Sequence, residues 1–219
     1  LAEDTIVMFS SDHGDMLGSQ GFRLKRKPWE ESIRIPGILR WPGRIPEGRE
    51  TNQLLTQVDF APTLLGLCGL PVPGEMSGTD LSPVVLGRSE QGPESAFFQI
   101  FGPYLSGEVE AGWRGVRTQR YMYARYKDRP WVLYDLERDP HELKNLVEDP
   151  EARPVLEEME KKLGDWMSKT NDSWDFNWTH PVEDAGSLYN HQTFYTVQDY
   201  LKWAEEHPEL DNPDPQPRP

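Results

Sequence analysis

The sequence of 219 residues is long enough for one large domain or two small ones, and its hydrophobic fraction of 36% includes eight tryptophans, which predicts a partly aromatic core. The formal net charge of −14 argues against a nucleic-acid partner, because binding to phosphate backbones requires a basic surface. No run of about 18 consecutive apolar residues is present, so the sequence predicts no membrane span.

The amino-terminal part of the chain alternates between strand-like and helix-like segments. Residues 4–10 are a continuous apolar run rich in β-branched and aromatic residues, which predicts a buried strand. Residues 35–43 predict a second strand, closed by a Pro-Gly turn. Residues 56–74 predict a helix of about two to three turns, with Pro62 in its first turn and Gly69 at its end.

The following part of the chain has the pattern of an antiparallel sheet and a helix. Four short β-like runs recur at a spacing of about ten residues: SAFFQIF, WRGVRTQ, RYMYARY and WVLYDL. Residues 151–169 place their apolar side chains on one face of a helix, which we expect to pack on that sheet. From residue 171 the chain is irregular and aromatic, and it ends in a Pro-rich acidic tail for which we predict disorder.

A carboxylate and an imidazole follow the first predicted strand, in the sequence SSDHGDMLGSQG. Asp12 and His13 are expected at the carboxyl end of that strand, the edge of an α/β sheet where ligands and catalytic groups collect. Both side chains are ordinary ligands of divalent metals, and the nearby glycines allow neighbouring side chains to converge on one centre. The alternative interpretation is a polar turn with an exposed histidine.

Lys25 lies thirteen residues after Asp12, in a segment that returns to the second predicted strand. It belongs to a run of three cations at residues 25–27, which is either a solvated patch or a loop that brings Lys25 to the edge carrying Asp12 and His13. A metal and a lysine in one pocket suit chemistry on an oxyanion ester.

These motifs together resemble the second half of the sulfatase family, within the alkaline phosphatase superfamily. The resemblance rests on SSDHGDMLGSQG, the lysine with PWEESIRIPGILRWPG, QVDFAPTLLGLCGLPVP, GTDLSPVVLG, WRGVRTQRYMY and LYDLERDPHELKNL, over about residues 4–169. It implies part of a sulfatase α/β catalytic domain over residues 1–95. It further implies a small α+β C-terminal subdomain, with an antiparallel sheet and an amphipathic helix, over residues 96–170, and an extension over residues 171–219.

The resemblance also implies roles for individual residues. Asp12 and His13 match the pair that ligates the active-site metal, usually calcium, with manganese or magnesium as alternatives. Lys25, four residues before Trp29, matches the lysine that contacts the sulfate and assists its leaving group. Lys27 has the wrong spacing to Trp29 for that role.

The chain departs from the family pattern in several respects. It lacks the Cys-x-Pro-x-Arg or Ser-x-Pro-x-Arg segment that becomes the formylglycine nucleophile, and it lacks the paired aspartates that supply further metal ligands. Cys68 lies in an apolar run, where we expect it to pack as a small hydrophobic side chain and not to act as a nucleophile. Gln20 stands where many members have histidine. We therefore expect a C-terminal piece of a longer sulfatase, inactive without the missing N-terminal half.

The function implied for the parent enzyme is hydrolysis of sulfate esters of a small molecule or carbohydrate, in the periplasm or outside the cell. One alternative is a phosphonate or phosphate ester hydrolase of the same superfamily, which shares the second-half motifs. The other alternative is a non-catalytic acidic module that binds metal weakly, because calcium requires about six to eight oxygen ligands.

Overall fold

The computed structural model describes residues 1–101 and 111–174, together with residues 202 and 205. The described residues up to 174 belong to one compact unit. The acidic tail and most of the aromatic extension expected from residue 171 onward lie outside the described residues. Within the described ranges, no helix is both long enough and apolar enough to cross a membrane.

Residues 1–95, all of them described, contain two paired strands and three α-helices. In chain order these are β1 (Val7–Ser10), α1 (Glu30–Ile33), β2 (Gly37–Arg40), α2 (Gln57–Leu67) and α3 (Ser82–Val85). The strands β1 and β2 are antiparallel, with Phe9 opposite Ile38. These two side chains are 61% and 59% exposed, so the expectation that β1 is buried is wrong for the described structure. A ribbon of two strands leaves one face uncovered unless another layer packs on it.

Both ends of α2 follow from local sequence. Thr56 precedes the helix and forms a capping box with Asp59, in which Thr56 N donates to Asp59 Oδ2 at 2.8 Å. At the other end Gly69 adopts the left-handed conformation with a φ of 69°. Leu70 N then donates to Leu65 O at 2.9 Å, which is the Schellman arrangement.

Two expectations about the interior of this helix are wrong. Pro62 lies in the middle of α2 and not in its first turn. Because proline has no N–H, the carbonyl of Val58 loses its helical partner, and Gly78 lies so close to that carbonyl that a Cβ there would be 1.9 Å from its oxygen. Cys68 comes directly after the last helical residue and is exposed, not packed, because the apolar face of α2 ends before it.

The four predicted strands form one antiparallel sheet in chain order, and the predicted helix follows them. The elements are β3 (Ala96–Ile100), β4 (Trp113–Arg117), β5 (Tyr121–Tyr126), β6 (Pro130–Asp135) and α4 (Arg153–Lys169). A single 3-10 turn at Pro150–Ala152 leads into α4.

This sheet lies between two hydrophobic layers, because successive side chains of a strand point to opposite faces. On one face Val116, Tyr123 and Leu133 pack against Met159 and Leu163 of α4. On the other face the sheet meets the amino-terminal part in a second buried cluster: Met16, Trp29, Trp113, Met122, Ala124, Tyr126, Val132 and Tyr134. The segment between Met16 and Trp29, which carries Lys25, is therefore anchored on the sheet at both of its ends.

Candidate functional site

The loop after β1 places Asp12 and His13 side by side. His13 Nε2 lies 3.3 Å from Asp12 Oδ2, and the two side chains are 36% and 78% exposed. His13 Nδ1 lies 2.7 Å from the carbonyl oxygen of Gly14. A carbonyl can only accept, so Nδ1 carries the hydrogen and Nε2 presents its lone pair. Metal-ligating histidines commonly have this arrangement, with the second ring nitrogen bound to a backbone carbonyl.

Lys25 reaches the same pair from the second loop. Its Nζ lies 2.6 Å from His13 Nε2, where the ammonium donates to the lone pair of the ring. The residues on either side, Leu24 and Arg26, have left-handed backbones with φ values of 61° and 74°. Such conformations are unfavourable for residues with a Cβ and persist where the surrounding structure holds them.

Lys27 and Trp113 supply that support. Lys27 is 1% exposed, and its Nζ donates to the carbonyls of Arg23 at 2.7 Å and Lys25 at 3.1 Å. Trp113 of β4 donates from Nε1 to the carbonyl of Arg26 at 2.9 Å. The ammonium of Lys27 is thus directed into its own loop, whereas that of Lys25 is directed at His13.

The short helix α1 connects the two loops. Gly14 N donates to Ser32 O at 2.9 Å, and Lys27 N donates to Ser32 Oγ at 3.3 Å. A Cβ on Gly14 would lie 2.0 Å from the carbonyl oxygen of Glu31, so the close approach of this loop requires glycine. Both loops are therefore held on the same helix.

Two residues that the sequence analysis did not single out hold the backbone at Asp12. Gln57, the first residue of α2, donates from Nε2 to the carbonyls of Ser11 at 3.2 Å and of Asp12. Ser11 Oγ donates to the carbonyl of His13 at 2.8 Å. Ser11 adjoins the motif and could have been found from it, but no sequence pattern pairs Gln57 with a loop 45 residues earlier.

Gln20 makes a different contact, away from Asp12 and His13. Its Nε2 donates to the carbonyls of His141 and Glu142, at 3.1 Å each. These two residues lie in the loop between β6 and α4. Gln20 therefore joins the loop of Lys25 to the loop that follows the sheet.

Glu142, in the loop after β6, is a buried acid that contacts the first residue of α1. It is 1% exposed, and its Oε2 accepts a hydrogen bond of 2.7 Å from Glu30 N. Burial raises the pKa of Glu142 to about 8; the hydrogen bond from Glu30 N opposes the rise, and the carboxylates of Glu30 and Glu31 add to it. Glu142 could not be found from the sequence, because its partner in α1 is 112 residues away.

Asp12 and His13 fit part of a divalent metal site. Their donor atoms, 3.3 Å apart, have the spacing of two neighbouring ligands of one cation at ligand distances of about 2.3–2.6 Å. No group of three or more histidine, cysteine, aspartate or glutamate side chains is arranged to hold a metal in the part of the chain that the structure describes. The pair therefore fits as two ligands of a larger set.

Residues 18–169 match the family described as N-sulphoglucosamine sulphohydrolase, C-terminal, so the chain belongs to that family and corresponds to the C-terminal part of a sulfatase. The ulvan-active sulfatase of Formosa agariphila is 33% identical over 177 residues, which cover 80% of this chain and 35% of the relative.

Solved structures share the fold. A protein in complex with its substrate D-glucosamine-2-N,6-O-disulfate superposes with a TM-score of 0.72 at 30% identity, over 80% of this chain and 36% of that one. The phosphonate monoester hydrolase of Agrobacterium radiobacter gives 0.66 at 28% identity, over 76% and 36%. The predicted fold class is confirmed, and the chain spans little more than a third of the length of these proteins.

Proposed function

We propose that this chain contributes Asp12, His13 and Lys25 to a site that hydrolyses sulfate esters. The observation that carries the proposal is the convergence of three side chains after β1, where Lys25 Nζ and Asp12 Oδ2 lie 2.6 Å and 3.3 Å from His13 Nε2. Membership of a sulfatase family supports the reaction class. A relative named for ulvan and a solved structure with a bound glucosamine disulfate support a sulfated carbohydrate as the substrate. A periplasmic or extracellular location is part of the same proposal and rests on the family resemblance.

The chemistry of each residue suits its proposed role. Asp12 and His13 would hold a divalent cation, calcium in this proposal with manganese or magnesium as alternatives, once the Nε2 lone pair of His13 exchanges the Lys25 ammonium for the cation. The cation would supply positive charge to the sulfate oxygens. The Lys25 ammonium is a compact point charge, which stabilises the negative charge on the departing oxygen when the ester bond breaks. Gly14 fixes the His13 ring by accepting from Nδ1.

The proposed reaction also needs a nucleophile. None of the 219 residues forms the Cys-x-Pro-x-Arg or Ser-x-Pro-x-Arg segment of sulfatases. We propose that a formylglycine nucleophile and the remaining metal ligands come from polypeptide other than these residues, and that the chain by itself does not turn over sulfate esters. Detectable hydrolysis of an aryl sulfate by the 219-residue chain would contradict this part.

A second candidate is a hydrolase of phosphonate or phosphate esters. It is favoured by the superposition with the phosphonate monoester hydrolase, at a TM-score of 0.66. A metal and a lysine stabilise either oxyanion ester, so the described residues suit both reactions.

The first test is the coding DNA upstream of Leu1. An in-frame Cys- or Ser-x-Pro-x-Arg segment preceded by paired aspartates supports the sulfatase. A threonine or unmodified serine nucleophile moves the assignment to phosphate or phosphonate esters. A start codon immediately before Leu1 contradicts both and leaves an acidic metal-binding module.

In the full-length protein, Lys25→Ala should lower kcat for a sulfate ester by about 10²- to 10³-fold, because the charge on the leaving oxygen loses its cation. Asp12→Asn should weaken metal binding, measured by calorimetry in the same protein. Lys144→Ala removes a side chain that is 74% exposed in the loop before α4, and it should leave both quantities unchanged. Equal kcat values for Lys25→Ala and Lys144→Ala would refute the role of Lys25.

A further inference from the structure

Glu142 is a buried acid that the proposed reaction does not use. It is 1% exposed and has a left-handed backbone with a φ of 53°. Its Oε1 is buried and has no hydrogen-bond partner within the described part of the chain. A buried carboxyl in a strained backbone conformation is costly, so the surrounding residues must hold it in place.

The contacts of Glu142 lie on both sides of Lys25 in the sequence. Before Lys25, Gln20 Nε2 donates to the carbonyl of Glu142 at 3.1 Å. After Lys25, Glu30 N donates to Glu142 Oε2 at 2.7 Å. The backbone of Glu142 is fixed in turn, since its N–H donates to Asp139 O at 3.1 Å. One residue of the loop after β6 therefore fastens both ends of the segment that carries Lys25.

The hydrogen bond to the Glu142 carboxyl comes from the backbone N–H of Glu30 and not from a charged side chain. The titratable groups that face it are Glu30 and Glu31 of α1, Arg117 of β4, Tyr134 of β6 and Asp139. The cation among these groups, Arg117, is bound by both carboxylate oxygens of Glu30, at 2.8 Å and 3.1 Å. Glu142 thus acts on α1 through the backbone of Glu30, whose N–H donates to Glu142 Oε2 at 2.7 Å.

We propose that Glu142 is a positioning residue for Lys25 and His13. It fixes the first residue of α1, and α1 holds the loop of His13 through Ser32 O and the loop of Lys25 through Ser32 Oγ. This inference rests on the proposed function for the roles of Lys25 and His13, and it extends that site to a residue of the C-terminal subdomain.

Amide hydrogen exchange of the full-length protein, followed by NMR, tests the proposal. In Glu142→Ala the amides of Gly14 and Lys27, which bind Ser32, should exchange about tenfold faster or more, while amides in β5 stay as protected as in the wild type. The ring ¹⁵N signals of His13 should move toward those of Lys25→Met, because the contact between the two side chains loosens. Glu142→Gln keeps an acceptor for Glu30 N and should restore both readouts.

Glu148→Ala is the matched control, an exposed glutamate of the same loop, and it should change neither readout. If Glu142→Ala does not fold, Glu142→Asp carries the same test, since it withdraws the carboxyl from Glu30 N by one methylene. Unchanged exchange at Gly14 and Lys27 overturns the proposal. Exchange that accelerates equally at these two amides and throughout β5 also overturns it, because that result indicates a general loss of stability.

These readouts need neither metal nor substrate, so they separate this inference from the proposed function. Faster exchange at Gly14 and Lys27, in a full-length protein that fails to hydrolyse sulfate esters, would leave α1 held by Glu142 and refute the sulfatase assignment. A full-length sulfatase in which Glu142→Ala leaves exchange and the His13 ring signals unchanged would retain its function and refute the positioning role.

Discussion

Gly14 has no space for a side chain in the candidate site. A methyl group there would lie 2.0 Å from the Glu31 carbonyl oxygen, which belongs to backbone and cannot rotate away. We expect Gly14→Ala to lower the free energy of unfolding by about 1–3 kcal/mol, measured by urea denaturation. Gly164→Ala on α4 is the matched control, since no atom lies within 4 Å of its added methyl, and it should gain up to about 1 kcal/mol. Equal effects of the two substitutions would contradict this account.

Glu142 gives the protein a pH dependence of defined sign. Its pKa is about 8 in the folded protein against 4.5 ordinarily, so between these values the unfolded chain has released the proton and the folded chain keeps it. The contribution of this group to stability therefore falls as pH rises from about 4.5 to about 8, by up to about 1.4 kcal/mol per pH unit.

Glu142→Gln removes that titration. The variant should be more stable than the wild type at pH 8, by about 1–4 kcal/mol, and the difference should shrink as pH falls toward 5. Thermal unfolding followed by circular dichroism across this range measures it, with Glu148→Gln as the exposed control. Parallel profiles for the wild type and Glu142→Gln would show that the carboxyl is ionised throughout.

At the scale of elements, the sequence predicts what depends on local periodicity. The alternation of side chains in β3–β6 and the apolar spacing of α4 were sufficient to predict these elements. The apolar side chains that form the pattern in the sequence are the ones that pack in the two buried clusters. The exposure of β1 and of Cys68 was not predictable, because burial depends on which neighbours cover a strand and on where a helix ends.

The candidate site divides in the same way. The pairing of Asp12 with His13 is visible in the motif, and Lys25 could be proposed for the same edge. Gln57 and Glu142 could not, because they contact these loops across 45 and 112 residues. The assignment of catalytic and metal-binding roles to the three motif residues stays a prediction.

A buried ion pair links the residues directly after α4 to strand β4. Arg114 of β4 and Asp172 have side chains only 2% and 7% exposed, and Arg114 Nη2 donates to Asp172 Oδ1 at 3.0 Å. The ring of Trp174 lies 4.6 Å from the guanidinium carbon. These contacts hold the residues after α4 on the sheet.

Asp172→Asn should lower the free energy of unfolding by about 3–5 kcal/mol, because it leaves a buried guanidinium without its counter-ion. Asp165→Asn makes the same chemical change in the exposed pair with Lys161 on α4, and it should cost less than about 1 kcal/mol. Urea denaturation of both variants measures the difference. A loss at Asp172 no larger than that at Asp165 would mean that the buried pair contributes little.

At the scale of the whole molecule, the outer face of the β1–β2 ribbon is apolar and exposed. Val7, Phe9 and Ile38 are 49%, 61% and 59% exposed on adjacent strands. We expect the 219-residue chain to self-associate at micromolar concentration through this face. Phe9→Thr should reduce the association seen in sedimentation velocity, whereas Leu143→Thr, at an apolar side chain 78% exposed in a loop, should not. A monodisperse wild-type chain would contradict the expectation.

The contacts of the sheet and of the candidate site differ in how far they reach along the chain. Strands β3–β6 pair in chain order, whereas Trp113 meets Arg26, Trp29 meets Tyr134 and Gln20 meets Glu142 across 87, 105 and 122 residues. Contacts between distant residues form late, because closing a long loop costs chain entropy first. During synthesis, the loops of His13 and Lys25 leave the ribosome before Glu142 does, and they acquire their support only after Glu142 has emerged. The loops of the candidate site thus precede in the sequence the strands and the loop that support them, and the site is complete only once those later residues have folded.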